Sequence, residues 1–311
     1  MNVINKYISL KKESAVATWQ KMKRSKHCYL FLAPYALLFT LFFIVPVIMS
    51  IILGFTYYNI LEPPEFMGFQ NYINLLLAYD VCIIAVKITL ILAFITGPLG
   101  YIMAFLIAWF INELPRFLRS IAVVVFYAPT ITGQAFLIWG IIFSGDAYGY
   151  LNAFLMELGL TNAPILWLTN PEYMMTVVII VTLWMSLGAG FLAFVAGLQG
   201  IDVAQYEAGL IDGIKNRWQE LWYITLPNMK PMLLFGAVMA ISQSFGVADV
   251  PMGLTGFPST DYATQTIVTH LIDYGSIRFE MGYACAIATV LFLGMFLAKK
   301  LIYKMLDRVG T

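Results

Sequence analysis

The chain has 311 residues, of which 61% are hydrophobic and only 11% are charged. Soluble globular domains hold about 45–50% apolar and about 25% charged residues, so this composition excludes an ordinary soluble enzyme and a disordered protein. The 18 basic and 17 acidic residues leave a formal net charge of +1, which points to no nucleic-acid partner. The composition instead predicts a chain whose solvent is largely lipid.

Six stretches are long and apolar enough to cross a bilayer, because a spanning helix needs about 20 mostly apolar residues. They are Tyr29–Phe55, Val81–Phe110, Ile121–Phe143, Met174–Leu198, Met232–Val250 and Met281–Leu301. None has the short apolar core and small-residue cleavage site of a signal peptide. The sequence therefore predicts an all-α membrane protein with six transmembrane helices.

The basic residues are strongly asymmetric about these spans. Sixteen of the 18 fall in the N-terminal segment, the second-to-third connection, the fourth-to-fifth connection and the C-terminal tail, and only Lys87 and Arg278 do not. The positive-inside rule puts the basic side in the cytoplasm. Both termini, with Lys6 and Arg308, are then expected inside, and Asp146 outside.

Outside the spans, two segments have patterns of their own. Residues 1–28 form a basic cytoplasmic segment, either a helix on the inner membrane surface or a tail that only sets topology. Residues 29–311 form one transmembrane domain. On the outer side, Tyr148–Leu158 is apolar at helical spacing and predicts a short helix at the outer surface.

The inner connection at 200–231, here called the elbow, is predicted to form two short capped helices. Asp202 caps the first helix, and Gly213 supplies the left-handed residue that ends it. Asn216 caps the second helix, and Pro227 ends it because proline lacks an N–H. Such a rigid segment is either a docking element for a partner or a plain interfacial hairpin.

The elbow also carries a motif. Glu207–Ala208–Gly209, followed by Gly213 and then by Ile224–Pro227, resembles the EAA loop of ABC-importer permeases. Other runs resemble the carbohydrate branch of that family: the Tyr35 region, Trp167–Tyr173, Leu192–Asp202, Leu254–Val268 and Met281–Phe292. The elbow departs from the pattern twice. Gly209 stands where the family usually has alanine, and the stretch from Gly213 to Ile224 is one residue longer.

The resemblance implies a type I ABC-importer permease fold with a cytoplasmic coupling helix. The chain would be the permease subunit of an ATP-driven importer, a multi-pass protein of a bacterial plasma membrane. Its implied partners are a second homologous permease, two copies of a cytoplasmic ABC ATPase, and an extracytoplasmic solute-binding protein that delivers a carbohydrate. The implied ATPase-coupling residues are Tyr206, Glu207, Ala208, Gly209, Asp212 and Gly213.

Polar and aromatic side chains within spans are candidates for a translocation path, because such groups usually face protein or water. The candidates are Gln134, Trp184, Gln243 and Asp249. Structural roles are also open to them. Asp249 could instead pair with a neighbouring helix, and Trp184 could anchor a span near the membrane interface. Gly97, Gly100 and Gly188 are expected to let helices approach closely.

Two other classes of function were weighed. An ion-gradient-driven secondary transporter of a small polar solute usually has two related halves and helices broken at midplane, and the sequence shows neither. A membrane enzyme would need paired carboxylates, a nucleophile elbow or a metal-ligand cluster, and the sequence shows none. No catalytic residue, metal or cofactor is predicted. The GxxxxGK[ST] loop that cradles ATP phosphates is also absent, so ATP hydrolysis is assigned to a separate partner.

Overall fold

The computed structural model describes residues 25–78 and 80–306. The chain divides between Ile52 and Leu53 into two compact units. The first contains helix α1 (Lys26–Phe39), which continues through a π-helical turn (Thr40–Ile44) into helix α2 (Val45–Leu53). This continuous helix has a mean hydropathy of 2.8 and is long enough to span a membrane. Lys6 and the other basic residues before residue 25 lie outside the described residues.

The second unit opens with the strands β1 (Thr56–Tyr57) and β2 (Glu65–Phe66), which pair antiparallel with Thr56 opposite Phe66. A short helix α3 (Gln70–Ile73) and a π-helical turn (Asn74–Ala78) follow. The buried Asn71 fixes this segment, because its Nδ2 donates to the carbonyls of Gly54 and Thr56.

The remaining elements are almost all helical. The first six of them are α4 (Asp80–Asn112), α5 (Arg116–Thr132), α6 (Leu137–Ile142), α7 (Tyr150–Glu157), α8 (Pro171–Trp184) and α9 (Ala189–Gln199). The elbow contains α10 (Val203–Ile211), α11 (Arg217–Glu220), a π-helical turn (Leu221–Thr225) and α12 (Leu226–Asn228).

The chain then runs through α13 (Lys230–Phe245), α14 (Asp249–Thr255), a 3-10 turn (Thr260–Tyr262), α15 (Ile267–Ile272), a π-helical turn (Asp273–Ile277) and α16 (Met281–Leu306). The core of the second unit lies where α4, α9 and α13 pack against one another. Phe191 and Phe194 of α9 are fully buried there. The all-α class is confirmed.

Five helical segments among the described residues are long and apolar enough to cross a membrane. They are His27–Leu53, Asp80–Asn112, Pro171–Gln199, Lys230–Thr255 and Met281–Lys304. The predicted span Ile121–Phe143 does not form one continuous helix. It divides at Gly133, whose φ of 65° is left-handed, into α5 and α6. The described residues therefore contain five of the six predicted spans as long apolar helices, and the sixth stays a prediction.

Two of these long segments are also interrupted. The segment Pro171–Gln199 breaks between Trp184 and Ala189, and Lys230–Thr255 breaks between Phe245 and Asp249. Sequence reasoning found no broken helices, and the structure overturns that expectation. The interruptions consist mostly of residues with ordinary apolar character, so a hydropathy profile runs through them without a dip.

Glycines permit the close helix approaches that the sequence predicted. A Cβ atom on Gly100 would lie 2.9 Å from the Ser186 side chain, and one on Gly97 would lie 3.2 Å from Ser244 Oγ. Gly190 sits opposite Gly236, where a Cβ on Gly190 would lie 3.4 Å from the Gly236 Cα. Small residues thus bring α4, α9 and α13 together, as they do in membrane helix packing.

Candidate functional site

The principal cavity of the second unit has a volume of about 320 Å³ and lies where three helical segments are broken. Its lining includes residues from each interruption: Gly133 and Phe136, then Met185 and Ser186, then Gly246, Val247 and Ala248. Helix α4 closes another side with Thr96, Gly100, Tyr101 and Ala104. Irregular backbone at membrane depth is tolerated where it lines such a cavity.

The backbone groups freed at the breaks are satisfied by side chains from other helices. Thr130 Oγ1 lies 3.3 Å from the carbonyl of Met185 and donates at 3.0 Å to that of Leu187. Thr266 Oγ1 donates at 2.8 Å to the carbonyl of Val247. An unpaired buried carbonyl costs about 1–3 kcal/mol, so these hydroxyls stabilise the interruptions as fixed features.

The polar part of the lining is rich in uncharged donors and acceptors. It includes Thr96, Tyr101, Thr130, Thr182, Ser186, Ser242, Gln243 and Ser244, with Asp249 as the one carboxylate. The hydroxyls of Thr96, Ser186 and Ser244 donate to backbone carbonyls, so they offer a solute mainly their lone pairs. The amide of Gln243 can both donate and accept. The arrangement therefore suits a solute that brings hydroxyl donors of its own.

The structure separates the four predicted path residues into two pairs. Gln243 and Asp249 line the cavity, whereas Gln134 and Trp184 are not among its lining residues. Trp184 instead packs edge-on against Trp139, with ring centroids 5.6 Å apart. The exposed Gln134 follows the break at Gly133. Gln243 touches the second break, because a Cβ on Gly188 would lie 2.5 Å from its Nε2.

The elbow has the predicted caps. Asp202 accepts a hydrogen bond from the Ala204 N–H at 3.0 Å, and Asn216 accepts one from the Gln219 N–H at 2.9 Å. Gly213 has a φ of 93°, the left-handed conformation expected at the end of the first helix. The caps could be predicted from the sequence because each capping contact joins residues that are close together in the chain.

Pro227 does not end the second helix, contrary to the prediction. The helical path leaves α11 through the π-helical turn Leu221–Thr225 and continues into α12, which holds Pro227 in its first turn. Pro227 therefore lies within a continuous helical path, directly after a π-helical turn where the regular i→i−4 hydrogen bonding is already interrupted.

The six predicted coupling residues lie together on α10 and the turn after it. Glu207, Ala208, Asp212 and Gly213 are exposed, and Gly209 is buried. Tyr206 is half-buried, and its hydroxyl lies 3.1 Å from Thr225 Oγ1. The helix therefore has an inner side held by Tyr206 and Gly209 and an outer side that is open.

Sequence reasoning did not identify Arg217, which joins two carboxylates. Its guanidinium bonds Glu113, just past the end of α4, and lies 2.6 Å from Glu220 Oε2. The hydrogen bond to Glu220 is the main cause that raises the pKa of Arg217. Glu113 is 104 positions from Arg217, so no spacing rule could pair the two.

Asn152 of α7 was missed as well. This fully buried side chain donates to the carbonyls of Ser144, Asp146 and Ile165. Since the amide has two N–H groups, at least one of them is shared between two of these carbonyls. Its Oδ1 accepts from the Ile165 N–H and from Trp167 Nε1. The predicted surface helix is thus the centre of a folded outer segment, and only its helical period was visible in the sequence.

Comparison with known proteins bears on both regions. The chain matches the family described as the binding-protein-dependent transport system inner membrane component over residues 96–309, which contain the cavity lining and the elbow. The probable ABC transporter permease protein YesP of Bacillus subtilis is 28% identical over 281 residues, covering 89% of each chain. The arabinooligosaccharides transport system permease protein AraP of Bacillus subtilis is 30% identical over 281 residues, covering 88% of this chain and 87% of AraP.

The fold is similar to solved structures. A chain of a bacterial ABC transporter involved in the import of the acidic polysaccharide alginate superposes with a TM-score of 0.76 at 24% identity, covering 94% of this chain and 99% of that chain. A second structure holds the alginate transporter with its alginate pentasaccharide-bound periplasmic protein, and its matching chain has a TM-score of 0.73.

Proposed function

The chain belongs to the family of inner-membrane components of binding-protein-dependent transport systems, and we propose that it is the permease subunit of an ATP-driven importer for a sugar or oligosaccharide. It is a multi-pass membrane protein and a transport subunit rather than an enzyme. The observation that carries the proposal is that a single family match contains both the cavity and the elbow.

The substrate class is inferred from the cavity and the relatives together. A volume of about 320 Å³ is at the small end of ligand pockets. Its hydroxyl and amide lining suits the hydroxyl groups of a sugar, with Gln243 and Asp249 as the proposed contacts. AraP is a permease of an arabinooligosaccharide transport system, which agrees with a carbohydrate.

The elbow is proposed as the docking element for the ATPase. The outward residues of α10 include Val203, Leu210 and Ile211, which are 66%, 61% and 87% exposed. Exposed apolar side chains grouped with a carboxylate, here Glu207, are typical of an interaction surface. The proposed assembly contains a second homologous permease, two ATPase copies and an extracytoplasmic solute-binding protein.

The orientation and the domain limits are also part of the proposal. Residues 1–28 form a cytoplasmic segment, residues 29–311 form the permease domain, and α5 with α6 together make one crossing, so that both termini are cytoplasmic. In a cysteine-free background, Lys215→Cys should resist an impermeant thiol reagent added to intact cells, and Tyr148→Cys should react. Labelling of residue 215 from outside would contradict this orientation.

The proposed activity is tested by uptake in cells that lack this gene. Labelled arabinotriose, maltotriose and lactose are supplied, and the restored chain should recover uptake of at least one. That uptake should disappear when the lysine of the partner ATPase's phosphate loop is replaced, and it should survive an uncoupler while ATP is maintained. Uptake that follows the uncoupler would indicate a secondary transporter. ATP-driven uptake of a solute other than a sugar would overturn the carbohydrate assignment alone.

A further inference from the structure

The elbow is fastened to the end of α4 by two contacts. The Arg217 guanidinium pairs with Glu113, which directly follows α4. The indole rings of Trp109 and Trp218 meet with centroids 5.3 Å apart. A cleft of about 200 Å³ lies between the two elements, and Tyr206 of α10 lines it. Both halves of the elbow therefore face the same end of α4.

Helix α4 differs from the helices that flank the elbow in sequence. It is one helix of 33 residues with Pro98 inside it, and Gly100, Tyr101 and Ala104, on the elbow side of that proline, line the principal cavity. No proline interrupts the stretch from Gly100 to Asn112 that joins the cavity to the elbow. The segments that flank the elbow contain α8–α9 and α13–α14, and each of these is interrupted at the cavity. An unbroken helix transmits a displacement of one end to its middle more directly than an interrupted one does.

The exposure of the ion pair indicates what it contributes. The side chains of Arg217 and Glu113 are 58% and 41% exposed. Ion pairs in such positions add little to folding stability. The planar guanidinium nevertheless fixes direction, because Arg217 contacts Glu113 with one nitrogen and Glu220 with the other. Its effect is to set where the elbow lies relative to α4.

We propose that Arg217 is a positioning residue that fastens the elbow to Glu113, so that movement of α10 is passed along α4 to the cavity wall. The inference rests on the proposed function of the elbow as the ATPase docking element. Arg217 needs no contact with the ATPase in this role. It acts through Glu113, whereas Glu220 only orients the guanidinium.

The test uses the assembled complex of this chain with its partner permease and ATPase. The variants are Arg217→Gln, Glu113→Gln, the two together, and Arg217→Lys. The matched control is Arg116→Ala, which removes an exposed cation three residues from Glu113 and outside the elbow. Hydrogen exchange of the 203–211 amides reports local opening of α10, which increases when the elbow is held less firmly, and uptake per ATP hydrolysed reports coupling. Uptake is measured with whichever of arabinotriose, maltotriose and lactose the wild-type complex carries.

Each single neutral variant should speed exchange of the 203–211 amides and lower uptake per ATP, both by about threefold to fivefold, a size set by the weakness of exposed pairs. The double variant should be no worse than either single one, because both remove the same link. Arg217→Lys should recover part of the effect, and Arg116→Ala should behave as wild type.

Unchanged exchange in Arg217→Gln, or additive losses in the double variant, would overturn the positioning role. Hydrogen exchange tests the positioning role even if the complex transports none of the three sugars. Failure to transport them would count only against the proposed substrate class.

Discussion

A Cβ atom added to Gly209 would lie 2.6 Å from the Cδ1 atom of Ile224, closer than side chains pack in folded proteins. Ile224 belongs to the π-helical turn Leu221–Thr225. A π-helical turn is one way for a helix to hold an additional residue, and the stretch from Gly213 to Ile224 is one residue longer than the EAA pattern. We interpret the glycine and the longer stretch as two parts of one local adjustment.

The first prediction follows from this contact. Gly209→Ala should destabilise the elbow by about 1 kcal/mol, because overpacking against Ile224 and Ile214 costs about 1–3 kcal/mol and the higher helix propensity of alanine offsets about 1 kcal/mol of it. Adding Ile224→Val removes the Cδ1 atom and should recover most of that loss. The measurement is hydrogen exchange of the 203–211 amides in the purified protein. Exchange in Gly209→Ala that equals wild type would show that the side chains give way freely.

A second prediction concerns docking. Glu207→Lys reverses an exposed charge on the open side of α10, and Gly213→Val places a β-branched residue at a φ of 93°. The valine costs about 1–2 kcal/mol, roughly a tenfold shift in a two-state equilibrium. Both variants should reach the membrane yet lose uptake and co-purify with less ATPase.

The matched control for docking is Glu157→Lys, an exposed charge reversal on the outer helix α7. It should leave ATPase recovery unchanged. Normal uptake and normal ATPase recovery in both elbow variants would remove the docking role from this segment. The family assignment would stand without it.

Much of the fold could be predicted from the sequence because its signals are local. Long apolar runs predicted the helical spans, since length and apolar composition together decide whether a helix can cross a bilayer. Asp202 and Asn216 predicted where their helices begin, because a capping side chain bonds an N–H two or three residues further along the chain. Gly213 predicted the end of the first helix, because it lies at the end of an amphipathic stretch.

The interruptions at the cavity could not be predicted in the same way. The break at residues 185–188 depends on Thr130, which satisfies the carbonyl of Leu187 from 57 positions away. Gln243 and Asp249 could be named as polar groups within a span, yet nothing local distinguished them from Gln134. The pairing of Glu113 with Arg217 is likewise set by how α4 packs on the elbow.

A third prediction addresses the cavity. Gln243→Leu keeps the approximate volume of the side chain but removes its amide, so a solute hydroxyl would lose one partner. Loss of one such hydrogen bond costs about 1–2 kcal/mol, so uptake should fall by about fivefold to thirtyfold. ATPase recovery should stay normal, because Gln243 lies on the cavity and not on the elbow.

Gln134→Leu is the matched control, since it removes an exposed amide that is not among the lining residues. Its uptake should remain near wild type. Equal losses of uptake in the two variants would show that the cavity does not define the path. A loss confined to Gln134→Leu would place Gln134, and not Gln243, on the path.

The last prediction concerns pH and the outer side of the second unit. His270 of α15 is buried, with its Nε2 3.4 Å from the Tyr283 hydroxyl and its ring against Tyr274. Burial lowers the pKa of His270 from 6.5 to about 4, with Asp273 opposing the shift and Arg278 adding to it. Within the described residues its Nδ1 has no hydrogen-bond partner, so a second proton on the ring would have nothing to bond.

The sign follows from the lowered pKa of His270. The folded protein prefers the neutral ring, so its contribution to stability is complete above about pH 6.5 and is lost as pH falls through about 4. The full difference is of order 3 kcal/mol, at about 1.4 kcal/mol for each pKa unit. The thermal midpoint of the purified protein should therefore decrease as the pH is lowered from 6.5 to 4.

His270→Gln should flatten the plot of thermal midpoint against pH over that range, and His27→Gln, at the chain's other histidine, should not. An equal pH dependence in wild type and His270→Gln would place the acid sensitivity at other groups.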